Sequence, residues 1–334
     1  MQLNEIWFLI VGFLFIGYFV LDGFDFGVGM SLPFLGKDDT DRRVLINTIG
    51  PVWDLNETWV IVAGAALFAS FPEWYASLFS GFYLALLLIL AALIARGVAF
   101  EYRSKGDTAK WRKTFDWMIT IGSALPALLW GVAFANIVQG VPLNAEHIYT
   151  GNLFTLLNPY GLLGGLVTLT LFFTHGLIFI TLKTEGDIKD RARELAKKAG
   201  YVTTVLAASF LVWTLIAHFS VIGFILTALA ALSLIAAQAA NFIKREGLSF
   251  TLMVFTIITA VGALFAALFP NVLPSSTNAA FSLTIQNASS SQYTLTVMTW
   301  VAVIMIPFVL AYQTWTYWVF RKRVSRKSIP AGSH

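Results

Sequence analysis

The chain has 334 residues, of which 57% are hydrophobic and only 12% charged, with a net charge of +4. A soluble domain of this length would carry about twice that charged fraction, so composition excludes one and points to a polytopic membrane protein. With no Cys, disulfides, thiolate metal sites, iron–sulfur clusters and a Cys-ligated haem are excluded as well.

Nine apolar segments near the ~20 residues needed to span a bilayer are expected, at about 6–31, 51–71, 76–101, 114–139, 159–183, 200–219, 222–242, 250–269 and 294–320. The opening MQLNEIWFLI has no basic n-region and no small-residue cleavage site, so segment one reads as a retained helix. That segment ends near Pro33 and carries Asp22 and Asp25, three residues apart and hence on one helix face. A short polar loop, KDDTDRR, leads to segment two, where Asp54 and Glu57 have the same spacing. Segment three ends in ARGVAFEYRSK, with Arg96 and Glu101.

Segment four contains Pro126, a kink site, and is followed by a loop rich in Asn, Gly and Pro. Segment five holds His175 in its inner half. The run EGDIKDRARELAKKAG reads as an amphipathic cytoplasmic or interfacial helix. Segments six and seven are mostly Leu, Ala and Ile and read as packing helices. An uncharged outer loop covers 270–293. Segment nine has Pro307 and an aromatic inner end, YQTWTYWVF, suited to the interfacial belt, and the basic tail RKRVSRKSIPAGSH is expected at anionic lipid. No fixed-period repeat and no separate soluble domain is visible, so 1–334 is expected to form a single transmembrane domain.

Under this division all 22 Lys and Arg fall on one side of the membrane or in helix ends leading to it. The positive-inside rule then puts the N-terminus outside and the C-terminus in the cytoplasm. Segment one descends into the cytoplasmic leaflet as segment two leaves it, so the four acids share a depth in that half. An ionisable group inside a membrane costs a few kcal/mol, and so has a partner or a task.

For Asp54 and Glu57 the functional expectation is a proton relay, with Asp22, Asp25 and Glu101 as further candidates; a buried carboxyl can both accept and release a proton near neutrality. The alternative is a structural network with Arg96 as counter-ion, and for Asp22 and Asp25 a bound cation is a third option. The four histidines offer no pair at matching depth for a bis-His haem: His175 is inner, His218 outer, and His147 and His334 lie outside the membrane. Trp53, adjacent to Asp54, is the one aromatic that could serve more than packing.

The stretches VLDGFDFGVGMSLPFLG, RRVLINTIGPVWDLNETWV, AALFASFPEWYASLFSGFY and RGVAFEYRSK resemble subunit II of the cytochrome bd-type quinol oxidases. So do NIVQGVP with YTGNLFTLLNPYGLLGG, and FPNVLPSS with SLTIQNASSSQYTLTVMTWVAV. The match runs in order over nearly the whole chain and departs at segments six and seven, whose connection is only a few residues where some relatives carry a long insertion. The resemblance implies an all-α fold of nine transmembrane helices, two four-helix bundles plus one peripheral helix. It implies a complex in a bacterial or archaeal plasma membrane that oxidises quinol and reduces dioxygen to water. Subunit I would hold two haem b and one haem d, and this chain none, with a very small single-helix subunit often present and no nucleic-acid partner. The motif acids, Asp54 of WDxNE with Asp22 and Asp25 of LDGFD, would serve cytoplasmic proton delivery. Two other classes stay open: a proton-coupled transporter, against which the missing repeat and off-midplane acids count, and a scaffold without chemistry.

Overall fold

The computed structural model describes residues 2–329; Met1 and Pro330–His334, which include the end of the basic tail, lie outside the described residues. The helices in chain order are α1 (Leu3–Leu35), α2 (Asp39–Ile49), α3 (Trp53–Ser70), α4 (Pro72–Gly81), α5 (Tyr83–Tyr102), α6 (Ala109–Gln139), α7 (Leu153–Leu156), α8 (Pro159–Lys183), α9 (Asp187–Ala217), α10 (Val221–Phe242), α11 (Glu246–Leu268) and α12 (Gln292–Val319). Among the described residues, eight helices are long and apolar enough to cross a membrane. The fold is thus that of a helical, multi-pass membrane protein.

Several elements differ from expectation. The second expected segment is helical as α3, yet it is not among the eight, because Asp54, Asn56 and Glu57 dilute its first two turns. The third is broken at Phe82 into α4 and α5. The run KDDTDRR is no loop: Asp38 caps the N-terminus of α2 by accepting from the Asp41 amide at 2.8 Å. The amphipathic run after Thr184 and segment six form one uninterrupted helix, α9. The 270–293 loop contributes a small antiparallel pairing of Asn271–Leu273 with Leu283–Thr284, the strand content of this otherwise helical chain.

Helix α1 is central and packs on α3, α6, α8 and α11; α5 lies on α6, and α8, α9, α10 and α11 pack on one another in turn. Lipid tails are as apolar as Leu, so close van der Waals fit and internal hydrogen bonds drive this association. Between α1 and α8 the backbones of Gly27 and Gly176 meet; a Cβ on Gly27 would land on the Phe172 carbonyl oxygen. Pro33 extends α1 by only its last turn and leaves the Gly29 carbonyl without an amide donor, and Thr120 Oγ1 of α6 donates to that oxygen at 3.4 Å.

Helix α12 is the outlier. Only 6% of its apolar stretch is buried, so apolar packing within this chain cannot hold it. Polar contacts fasten its ends instead. At its N-terminal end Trp7 Nε1 donates to Thr299 Oγ1 at 3.0 Å and to the Leu295 carbonyl at 3.3 Å. Beyond its C-terminal end, the Val324 amide donates to the Lys183 carbonyl at 2.7 Å, and Arg326 reaches Asp41 at 2.6 Å and Asp38 at 2.7 Å. Asp41 is fully buried and also holds Arg191 of α9 at 2.8 Å. Residues 321–329 thereby form a strap over Asp38 and Asp41 of the α2 start, the C-terminal end of α8 and the N-terminal end of α9.

The Asp41 amide and then Arg326 hold the Asp38 carboxyl below the usual carboxylate range. A depressed folded-state value means this support is complete above about pH 4 and is lost as pH falls below it. A spin label at position 327, attached through the chain's single introduced Cys, should be immobile between neutral pH and about 5. It should loosen below about 4, and in Arg326→Gln it should be loose throughout. Equal mobility at every pH in both proteins would rule the strap out.

Candidate functional site

The site forms where the C-terminal halves of α1, α5 and α12 meet the first turns of α3. The three-residue spacing of Asp22 and Asp25 puts both on the side of α1 away from its contact with α8. The turn at Gly50–Pro51 starts α3 so that its first two turns present Asn56 and Glu57 at the same level. Arg96 arrives from α5 and is fully buried. Its Nη1 donates to Glu57 Oε1 at 2.6 Å and to Asp22 Oδ1 at 3.2 Å, so one nitrogen bridges α1 and α3. The guanidinium plane faces Phe26 at 4.8 Å and Phe100 at 5.3 Å, contacts that favour a desolvated cation.

Asp25, also fully buried, takes no guanidinium. Its Oδ2 accepts from Asn56 Nδ2 at 2.7 Å. The Asn56 oxygen in turn accepts from Gln313 Nε2 at 3.0 Å and from the Tyr317 hydroxyl at 2.9 Å, both on α12. Tyr18, one turn before Asp22, accepts from Trp130 Nε1 at 3.1 Å and so keeps its own O–H to donate. Asp22 Oδ2, Asp25 Oδ1, and Arg96 Nε and Nη2 have no partner among the described residues. Three carboxyls surround one guanidinium. Of the three, only Glu57 reaches the surface, with 19% of its side chain exposed.

The remaining expected residues lie outside this core. Asp54 is exposed on the first turn of α3 and does not touch Arg96, although its charge acts on Glu57 one turn later. Glu101 is exposed at the end of α5. Trp53 packs on Phe100 with ring centroids 5.0 Å apart, which puts it one ring away from Arg96. Sequence reasoning missed Asn56, Gln313, Tyr317 and Tyr18. The signal for Asn56 was present, an amide between two acids in WDLNETW. Gln313 and Tyr317 are four apart on one face, but their aromatic neighbours favoured the reading of an interfacial belt.

A second ionic cluster, nearer the C-terminal end of α5, was also unforeseen. Arg103 Nε meets Asp116 at 2.5 Å and its Nη2 meets Asp39 at 2.7 Å, while Arg42 reaches Asp116 at 3.3 Å. It pins α2 and the end of α5 to α6.

Whether this chain could ligate a haem turns on His175, the histidine buried in the helix core. Its Nε2 faces the Val20 carbonyl at 3.1 Å, and its ring stacks on Phe250 at 5.1 Å with Phe24 at its edge. The adjoining Gly27–Gly176 contact closes the space beside it. These residues do not fit a macrocycle. No group of three or more His, Cys, Asp or Glu suited to a metal ion occurs among the described residues.

Removing one member of a buried ion pair strands the other charge, at about 3–5 kcal/mol. Arg96→Met should therefore lower the yield and melting temperature of the protein sharply, and Arg96→Met with Asp22→Asn and Glu57→Gln should recover much of the loss. A single Arg96→Met variant that melts with the parent protein would show that the guanidinium does not hold these helices together.

Comparisons with known proteins agree on one family. The model of the cytochrome bd terminal oxidase subunit II family matches residues 3–320. The cytochrome bd ubiquinol oxidase subunit 2 of Bacillus subtilis (strain 168) is 44% identical over 331 residues, 98% of each chain. The cytochrome bd-I ubiquinol oxidase subunit 2 of Escherichia coli (strain K12) is 41% identical over 370 aligned positions, covering 99% of this chain and 98% of the relative. In fold, a chain of the bd oxidase from Geobacillus thermodenitrificans superposes with a TM-score of 0.80 at 15% identity, over 96% of this chain and 99% of that one. The transporter reading ends here, and haem cofactors in the complex and a subunit I partner follow from the family. The chain belongs to the cytochrome bd terminal oxidase subunit II family and is a multi-pass, plasma-membrane component of a bacterial quinol oxidase complex.

Proposed function

We propose that this subunit delivers cytoplasmic protons to the oxygen-reducing centre of its partner through the carboxyl cluster around Arg96. The observation that carries the reading is the imbalance of the cluster: three carboxyls, Asp22, Asp25 and Glu57, lie by one fully buried guanidinium, which pairs with Asp22 and Glu57 alone among them. Burying uncompensated carboxylates is prohibitive, so such a group retains protons, and a group that retains protons close to a surface can exchange them. Glu57 is the mouth of the cluster. Asp54, one turn away on the exposed face of α3, continues the route: an acid left facing lipid is costly, whereas one facing a partner subunit or its water is not. Dioxygen reduction consumes protons in a site that must exclude bulk water, and a chain of carboxyls supplies them one at a time. The haems, two b-type and one d-type by resemblance, are assigned to subunit I, consistent with the enclosed position of His175.

We infer nine membrane crossings, with α3 as the one whose acids mask its length, arranged as one bundle of α1, α3, α5 and α6, a second of α8, α9, α10 and α11, and α12 at the periphery. The one-sided Lys and Arg support an outer N-terminus and a cytoplasmic C-terminus. An accessibility reporter at Arg323 should respond from the cytoplasm; a response from the outside would refute the orientation.

A scaffold reading has its own support, since Arg96 ties three helices together. The two are separated by Asp54→Asn and Glu57→Gln in the complete oxidase. Delivery predicts a full haem spectrum with turnover reduced about tenfold, equivalent to about 1.4 kcal/mol on the barrier. A purely structural role predicts for Glu57→Gln lost haem and yield with unchanged turnover per haem. Normal turnover per haem in both variants would dispose of the delivery route.

A further inference from the structure

We propose that Asn56 is a positioning residue that orients Asp25 as the proton-holding acid of the cluster, and that α12 fixes Asn56 for this task; the proposal rests on the delivery reading above. Consecutive helical residues point about 100° apart, so Glu57 turns to Arg96 while Asn56 turns to Asp25 and α12. Asn56 is fully buried and uses its whole bonding capacity. Its Nδ2 donates to Asp25 Oδ2 at 2.7 Å and to the Leu21 carbonyl at 3.4 Å, and its Oδ1 accepts from Gln313 and Tyr317. A carbonyl can only accept, so Leu21 sets the direction of the amide, and the two α12 donors lock the opposite end. The N–H therefore always faces Asp25.

This fixes which oxygen of Asp25 carries a proton. Oδ2 already receives a hydrogen bond, as the carbonyl oxygen of a neutral carboxyl does. Oδ1 is buried and has no partner among the described residues. One turn earlier, Asp22 binds Arg96 through Oδ1 and leaves Oδ2 equally bare. The exchange step runs between these two atoms: the O–H bond at Asp25 Oδ1 breaks and one forms at Asp22 Oδ2. The bonding pair stays on Asp25 as a carboxylate held by the Asn56 N–H, and Arg96 is left to neutralise Glu57. Nothing is oxidised or reduced. The carboxylate so formed on Asp25 has no ion pair of its own; the Asn56 N–H holds it one helical turn from the Arg96 pair.

The test uses the assembled oxidase and reaction-induced infrared difference spectra, in which a protonated carboxyl gives a C=O band apart from the amide bands. Asp25→Asn should remove one such band and slow turnover about tenfold. Asn56→Leu, which deletes the donor to Oδ2, should move that band to higher frequency and slow turnover several-fold at full haem content, whereas a residue that only packs would leave the band in place. Gln313→Leu and Tyr317→Phe each remove one of the two locks and should shift the band less, in the same direction; they answer the question should Asn56→Leu not assemble. The proposal is overturned by a spectrum that loses no band in Asp25→Asn, by normal turnover in that variant, or by a band unmoved in all three others. If Asp54→Asn and Glu57→Gln both turn over normally, the delivery reading itself fails; if they are slow while the Asn56 and α12 variants match the parent, only the present proposal does.

Discussion

A guanidinium with no exposure, in a membrane, sets the terms for the rest of this structure. Arg96 cannot shed its charge, so it must be matched where it lies, and the match is made by acids from two other helices, Asp22 on α1 and Glu57 on α3. The contact dictates the relative height and rotation of three helices to within a hydrogen-bond length. The rings of Phe26 and Phe100 on the guanidinium faces exclude competing water. In a bilayer, where apolar faces gain little by leaving lipid, such a contact orders helices more firmly than additional Leu would. The third segment, interrupted at Phe82, serves two ends: Ser77 of α4 donates to the His147 carbonyl, and α5 carries Arg96 to the acids.

The same logic extends outward through α12. A helix with so little of its surface buried within the chain would drift on apolar contacts alone. It is held by Trp7 at one end, by the strap of 321–329 beyond the other, and between them by Gln313 and Tyr317 reaching Asn56. The helix most exposed to its surroundings is therefore bonded through Asn56 to the carboxyl cluster. Whatever packs on α12 and α3 in the complex acts on a surface one amide away from Asp25.

Much of this was legible in the sequence, because membrane proteins announce themselves by what they cannot tolerate. Long apolar runs and the one-sided Lys and Arg gave the helices, and acids in apolar segments marked the site, since their cost singles them out. Helix ends were less legible. The charged start of α9 and the polar run that becomes α2 look like surface segments, and only Asp38 as a cap, with Asp41 buried under Arg191 and Arg326, makes α2 a helix in a defined place. Within the site, the acids and Arg96 could be named but not paired. Asp54 and Glu57 share a face by spacing, yet a few tens of degrees around α3 put Glu57 on Arg96 and leave Asp54 outside. Uncharged polar residues were the least visible. An Asn, a Gln or a Tyr in an apolar helix costs too little to stand out, and its role depends on which neighbour it meets.

Charged groups in the membrane are held by strong, undirected attraction, which alone would let Arg96 collapse onto any of the three carboxyls. Direction comes from the neutral groups. The Asn56 amide donates on one side and accepts on the other, and its two acceptor contacts from α12 leave it a single orientation. Tyr18, which accepts from Trp130, likewise keeps its O–H to donate. In the proposed relay the charges would set how many protons the cluster keeps, and the amide and hydroxyl dipoles on which atoms they rest. Separating a guanidinium pair from an amide-held acid in this way keeps Asp25 free of the ion pair that would otherwise fix its charge, and a carboxyl whose charge is not fixed is the kind that can pass a proton on.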